Sequence, residues 1–94
     1  MKLKELCGAG GNSLSGDIVK DAYVLSIDDT KNFLFSFGKL IAVRLSYISY
    51  ILCEENVSQH HLDVFFQDNN CENLIIYTTD NSILQNLLSE NLKS

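Results

Sequence analysis

The C-terminal part of the chain changes from the period of a strand to the period of a helix. The residues before Asp80 alternate between two faces, whereas from Ser82 the apolar residues recur every three or four positions. Ser82 with Gln85 fits a capping box, and Asp80 is the competing N-cap. The pattern predicts a strand, a tight turn and an amphipathic helix from Asn73 to Lys93, with the helix at about residues 82–93. Its apolar face would contain Ile83, Leu84, Leu87, Leu88 and Leu92.

Two segments in the first half of the chain alternate at the strand period. In the first segment, Tyr23, Leu25 and Ile27 share one face and Val24, Ser26 and Asp28 share the other. In the second segment the alternating positions are Phe33, Phe35 and Phe37. Residues 28–32 have the composition of a turn, and Gly38-Lys39 offers a short reversal to a following strand. These segments predict a hairpin.

The segment from Leu40 to Cys53 fits both a helix and a strand. A helical seam is formed by Ile41, Leu45, Ile48 and Leu52. The many β-branched and aromatic residues favour strands, and apolar steps of three residues suggest a bend or bulge between two strand pieces. A membrane span over Phe33 to Cys53 is disfavoured, because Lys39 and Arg44 lie inside it and would each cost roughly 2.5–3.5 kcal/mol near the bilayer centre.

A second hairpin is predicted after a loop at residues 54–60. Leu62, Val64 and Phe66 alternate with Asp63, Phe65 and Gln67, as expected for a strand with two different faces. The polar run 68–70 then provides a turn into the apolar segment before Asp80. On this interpretation Phe65 and Phe66 point to opposite faces of one strand, so at least one ring lies on the outer side of the sheet.

The composition indicates one small globular domain, residues 1–94, with an acidic surface. Hydrophobic residues make up 46% of the chain, and the formal net charge is −5. Because phosphate contacts need clustered cations, we expect no nucleic-acid partner, and a basic protein partner fits better. The Gly-rich residues 8–17 predict a flexible loop. The odd number of cysteines and the lack of a signal peptide predict an intracellular, cytoplasmic setting.

No group of residues predicts catalysis or a cofactor. His60, His61, Cys53 and Cys71 contain enough donor atoms for zinc, but their spacing matches no structural zinc pattern. An isolated cysteine is more often a small buried thiol than a nucleophile. We therefore expect a protein that is not an enzyme and that needs neither a metal nor a cofactor.

The second half of the chain resembles the pleckstrin-homology-like (PH-like) superfold. The residues that carry the resemblance are the runs Leu45–Ile51, Leu62–Asp68 and Leu74–Thr78, together with the helix that follows. The resemblance implies an α+β fold in which antiparallel strands form a partly open barrel closed by one C-terminal helix. It also implies that Lys2 to Leu6 supply a first strand, and that Leu84 or Leu87 fills the place of a tryptophan found in many members.

Lipid-binding members of that superfold hold phosphates with cations of the first loop and its flanks. Residues 7–17 contain no Lys or Arg here, and the only cations that could contribute are Lys20, Lys31, Lys39 and Arg44. Solvated surface positions explain these cations better than a binding site does. Phosphoinositide membrane binding is therefore the less favoured alternative.

Aromatic residues are the sequence feature that suggests a function. Tyr47, Tyr50 and Phe65 are the candidate binding residues, because outward aromatic side chains suit contact surfaces. The first hypothesis is a non-catalytic protein-interaction module, which binds a protein or peptide or a second copy of itself at a sheet edge. The second is a small acidic inhibitor or immunity-type protein that blocks a basic enzyme surface, such as that of a nuclease.

The layout of charge separates the two hypotheses. Convergence of the acidic residues on one face would favour the inhibitor, because like charges are held together only at a cost in repulsion. Dispersed acidic residues with an open apolar edge would favour the interaction module. The acidic residues in question are Asp63, Asp68, Glu72 and Asp80.

Overall fold

The computed structural model describes residues 2–7, 18–28, 30–67 and 74–92. The predicted Gly-rich loop at residues 8–17 lies outside the described residues. The strands are β1 Lys2–Cys7, β2 Ile18–Asp28, β3 Lys31–Ser36, β4 Lys39–Leu45, β5 Ile48–Leu52 and β6 Leu74–Thr78. The helices are α1 Gln59–Gln67 and α2 Asn81–Leu92. The fold is therefore α+β, as expected, with β1 where the resemblance implied a first strand.

The described strands form one six-stranded sheet in the order β1-β2-β3-β4-β5-β6. The first five strands pair as antiparallel neighbours. By contrast, β6 pairs with β5 in parallel, and α1 is the crossover between them. The sheet is mixed and, among the described strands, is not closed, so β1 and β6 are its two edges.

Tight turns join the strands of the central hairpins. Phe37 and Gly38, between β3 and β4, both have positive φ, at 51° and 80°, as a type I′ turn requires. Ser46 and Tyr47 connect β4 to β5, with Leu45 opposite Ile48. The prediction of two strand pieces between Leu40 and Cys53 is confirmed, and the helical alternative is wrong.

The segment predicted as the first strand of a second hairpin is the helix α1. The Ser58 hydroxyl accepts a hydrogen bond from the His61 backbone N–H at 3.3 Å, in the manner of an N-cap. One turn further on, the Gln59 side chain donates to Asp63 Oδ1 at 2.8 Å. The strand prediction is wrong because polar residues alternate here with apolar ones that also fit a helical face.

Burial along α1 follows the helical period. Leu62 and Phe65 are buried, Val64 and Phe66 are half-buried, and Asp63 is exposed. The rings of Phe65 and Phe66 meet edge to face, with centroids 4.8 Å apart. The expectation that one of these rings lies on the outer side of a strand is therefore wrong.

Each face of the central strands packs against a helix. Residues opposite each other in a sheet share a face, and one such set is Leu34, Ala42, Ile51 and Tyr77. Ser36, two residues after Leu34, shares this face and is hydrogen-bonded to His61 of α1. We call it the α1 face.

The opposite face contains Phe33, Val43, Tyr50 and Ile76, and we call it the α2 face. Phe33 and Val43 are fully buried there, and α2 contacts β4 and β5. We infer that α2 covers this face.

The C-terminal helix begins one residue before the predicted start. Asp80, rather than Ser82, is the N-cap, because Asp80 Oδ1 accepts a hydrogen bond from the Ser82 backbone N–H at 3.0 Å. On the predicted apolar face, Leu84 is fully buried and Leu87 is half-buried. Leu84 therefore anchors α2. In the described part of the chain, no helix is both long and apolar enough to cross a membrane.

Candidate functional site

The edge strand β6 exposes apolar side chains on both of its faces. Leu74 is 61% exposed and Tyr77 is 64% exposed, and Ile75 and Ile76 between them are exposed as well, so the strand forms a contiguous apolar patch. Strand edges in natural proteins are commonly protected by charged residues. The other edge, β1, carries Lys2, Lys4 and Glu5, whereas β6 carries no charge. Among the described residues, the sheet thus has one edge protected by charged side chains and one edge without them.

Alternate residues of β6 direct their backbone groups away from β5. The Leu74 N–H donates to the Tyr47 carbonyl at 2.8 Å, and the Thr78 carbonyl accepts from the Cys53 N–H at 2.7 Å. Because backbone directions alternate along a strand, the N–H and C=O groups of Ile75 and Tyr77 point outward. Within the described residues these groups have no backbone partner.

A groove of about 630 Å³ lies beside this edge, on the α1 face. It opens between α1, the ends of β5 and β6, and the loop that follows β5. Its apolar lining includes Ile51, Val57, Leu62, Phe66, Ile75 and Tyr77. A groove with this lining, next to free backbone groups, can hold a side chain of a segment that pairs with β6.

The groove also contains acidic residues. Glu54, Glu55 and Asp63 belong to its lining. Glu54 forms an ion pair with Lys39, and Asp63 accepts its hydrogen bond from the neutral Gln59 side chain. Among the described residues, no ion pair joins Glu55 or Asp63 to a cation. The site therefore carries uncompensated negative charge beside apolar surface.

The structure separates the three binding residues expected from the sequence. Tyr47, in the β4–β5 turn, is 82% exposed, and its carbonyl bonds to the first residue of β6. Tyr50 is half-buried on the α2 face, where it is the cross-strand partner of Ile76. Phe65 is buried in α1 and is not available on the surface, which corrects its assignment. Tyr47 and Tyr50 thus lie near the β6 edge.

Sequence reasoning missed the exposure of β6. Leu74, Ile75, Ile76 and Tyr77 are four consecutive apolar residues, a pattern typical of a strand covered on both faces. Its exposure follows from its place at the end of the sheet. The sequence contains no local signal that would have revealed it.

The histidine and cysteine residues do not assemble into a reactive centre in the part of the chain that is described. His61 Nδ1 lies 2.6 Å from the Ser36 hydroxyl, and both residues are buried. The His61 ring also packs on Phe37, with centroids 5.2 Å apart. No group of three or more potential metal ligands occurs among the described residues. Cys53 is a free, exposed thiol, and Cys71 lies outside the described residues.

The cations considered for lipid binding are not clustered. Lys39 is paired with Glu54, and Lys31 Nζ lies 3.7 Å from Asp28 Oδ2. Of the four acidic residues that were to separate the two hypotheses, Asp63 lines the groove and Asp80 caps α2. The remaining pair, Asp68 and Glu72, lies outside the described residues.

Comparisons of the chain with family models, with curated proteins and with solved structures found no match. The geometry of the β6 edge and its groove is therefore the basis for the function proposed below.

Proposed function

We propose that the protein is a non-catalytic protein-interaction module that binds an extended segment of a partner as an additional strand on β6. The observation that carries the proposal is the unprotected, apolar edge of β6 with its outward backbone groups. Strand addition of this kind obtains affinity from main-chain hydrogen bonds and selectivity from alternate side chains.

The backbone of β6 offers enough hydrogen bonds for such an interaction. Ile75 and Tyr77 each present one donor and one acceptor, and each bond formed contributes about 0.5–1.5 kcal/mol net. Four bonds would supply roughly 2–6 kcal/mol. Covering the exposed apolar parts of Leu74 and Tyr77 would add a hydrophobic contribution.

The architecture proposed for this module is the PH-like, partly open barrel suggested by the sequence. Two features support it: α2 covers the central strands, and Leu84 occupies the core position expected of the closing helix. The parallel pairing of β6 and the presence of the second helix α1 depart from the antiparallel strands and the single helix that the resemblance implied.

The open apolar edge favours the interaction module over the acidic inhibitor. The inhibitor hypothesis depends on convergence of four acidic residues, and the two that the structure describes serve different elements: Asp63 lines the groove and Asp80 caps α2. The proposed setting is intracellular, because an exposed free thiol such as Cys53 is stable in a reducing compartment.

A peptide-display selection on the immobilised protein tests the proposal. Selected peptides would then be measured against three variants: Leu74→Lys, Ile75→Pro and Leu3→Lys. Ile75→Pro removes an outward N–H without removing a bond to β5. Leu3 is the matched control, since it lies on the other edge strand and is 63% exposed, close to the value for Leu74.

We expect the selected peptides to lose binding to Leu74→Lys and Ile75→Pro and to keep it with Leu3→Lys. Circular dichroism of each variant establishes that the fold is retained. Undiminished binding to Ile75→Pro, or a selection that yields no binder, would contradict strand addition at β6.

A further inference from the structure

We infer that the partner segment is basic, with a Lys or Arg whose side chain crosses β6 into the groove and places its charge near Glu55 and Asp63. This inference rests on the proposed strand addition and names the chemistry of the segment that is added.

Two side chains of β6 border the groove, and their position determines which side chains of an added strand can reach it. Ile75 and Tyr77 both line the groove, and Tyr77 pairs in register with Ile51 of β5. An added strand would lie about 4.8 Å outside β6, and alternate side chains of that strand would project on the α1 face. A long side chain on that face can cross one strand spacing and enter the groove.

The lining of the groove matches the two parts of a basic side chain. The aliphatic stem of Lys or Arg packs on apolar surface while the charged end stays hydrated, and Ile75, Tyr77 and Phe66 supply that surface. The charged end then meets Glu55 and Asp63, the two lining carboxylates that are not ion-paired to a described cation. An acidic side chain in the same place would be repelled.

The opposite face of β6 favours a different residue type. Leu74 and Ile76 are exposed there, and Tyr50 lies beside Ile76 in the neighbouring strand. Side chains of the partner that project on the α2 face would therefore be apolar or β-branched. A segment that alternates basic and apolar residues satisfies both faces.

A second copy of the chain is a poorer occupant of this edge. Two copies would each bring a net charge of −5, and a second β6 contains no cation to place in the groove. The acidic lining would stay uncompensated in such a dimer. Charge complementarity therefore favours a basic partner segment.

The test uses three short synthetic peptides, in which valine alternates with lysine, with glutamate or with threonine. Binding is followed by fluorescence anisotropy at low salt and at about 0.15 M salt. We expect the lysine peptide to bind about tenfold more tightly than the threonine peptide, with a gap that narrows as salt is added. The glutamate peptide should bind most weakly.

Neutral variants identify the carboxylates responsible. In the double variant Glu55→Gln with Asp63→Asn, which keeps the size of both side chains, the lysine and threonine peptides should bind equally. Glu90→Gln is the matched control, because Glu90 is exposed on α2 and does not line the groove. It should leave the preference for lysine unchanged.

The outcomes separate this inference from the proposed function. Equal binding of all three peptides, abolished by Ile75→Pro, would overturn the basic preference and leave strand addition intact. A failure of all three peptides to bind, with a dimer in sedimentation that Ile75→Pro dissociates, would show that a second copy occupies the edge. A monomer that binds none of the peptides would overturn both.

Discussion

Replacing Leu84 with alanine tests whether α2 is held on the sheet mainly by one side chain. Leu84 is 0% exposed and belongs to the same core cluster as Phe33 and Val43. The neighbouring Ile83, on the same helix, is 40% exposed. Leu84→Ala and the matched control Ile83→Ala therefore remove side chains of similar volume from positions that differ in burial.

The expected losses follow from that difference. Removing a fully buried leucine side chain costs about 2–5 kcal/mol, because a cavity remains where the side chain was. For Ile83→Ala we expect about 1 kcal/mol, since less apolar area returns to water and alanine is the better helix former. A chain of this length has a total stability of roughly 5–14 kcal/mol, so Leu84→Ala should leave a folded but weakened protein.

Urea unfolding followed by circular dichroism at 25 °C measures both losses. Thermal unfolding provides a second measurement. Because each kcal/mol of lost stability lowers the Tm by about 4–8 °C, a loss of about 3 kcal/mol lowers the Tm of Leu84→Ala by roughly 12–24 °C. If Ile83→Ala lost as much stability as Leu84→Ala, the assignment of Leu84 as the anchor of α2 would be wrong.

Three further predictions concern local contacts. Hydrogen bonds from Ser82 hold the pKa of Asp80 below its ordinary value of 3.8. These hydrogen bonds therefore stabilise the folded protein at a pH above 3.8, and their contribution is lost as the pH falls through the lowered pKa. Asp80→Ala should lower the Tm at pH 7, and thermal melts should show the difference from wild type vanish in acid. Ser36→Ala leaves the buried His61 Nδ1 without its hydrogen-bond partner and should lower the free energy of unfolding in urea by about 1–3 kcal/mol. The double variant Ser36→Ala with His61→Phe removes both polar partners, so it should recover part of that loss. Gly38→Ala should cost about 1–2 kcal/mol in the same assay, although there is space for its Cβ, because φ is +80°.

The parts of the fold that could be predicted from the sequence are those set by neighbouring residues. Alternation, turn composition and helix capping placed the central hairpins and the C-terminal strand, turn and helix close to their observed positions. Even there the pattern favours Ser82 as the N-cap, whereas the N-cap is Asp80, because both residue types are capable N-caps and both precede the first apolar residue of the helix.

The parts that could not be predicted depend on contacts distant in the sequence. Leu62, Phe65 and Phe66 are spaced as on a helix, but the alternation of Leu62, Val64 and Phe66 fits a strand equally well. The parallel pairing that places Leu74 beside Ile48 needs α1 as a crossover, and no local pattern specifies it. The groove and the open edge arise from that pairing. The exposure of Tyr47 agrees with its proposed role, and its part in binding stays a prediction.

Backbone amide exchange in β6, measured by NMR with and without the valine–lysine peptide, tests the central claim most directly. We expect the amides of Ile75 and Tyr77 to exchange quickly in the free protein and those of Ile76 and Thr78 to exchange slowly, because only the latter two face β5. Addition of the peptide should slow exchange at Ile75 and Tyr77. Protection of Ile75 and Tyr77 in the free monomer would show that the edge is already covered and would contradict the account.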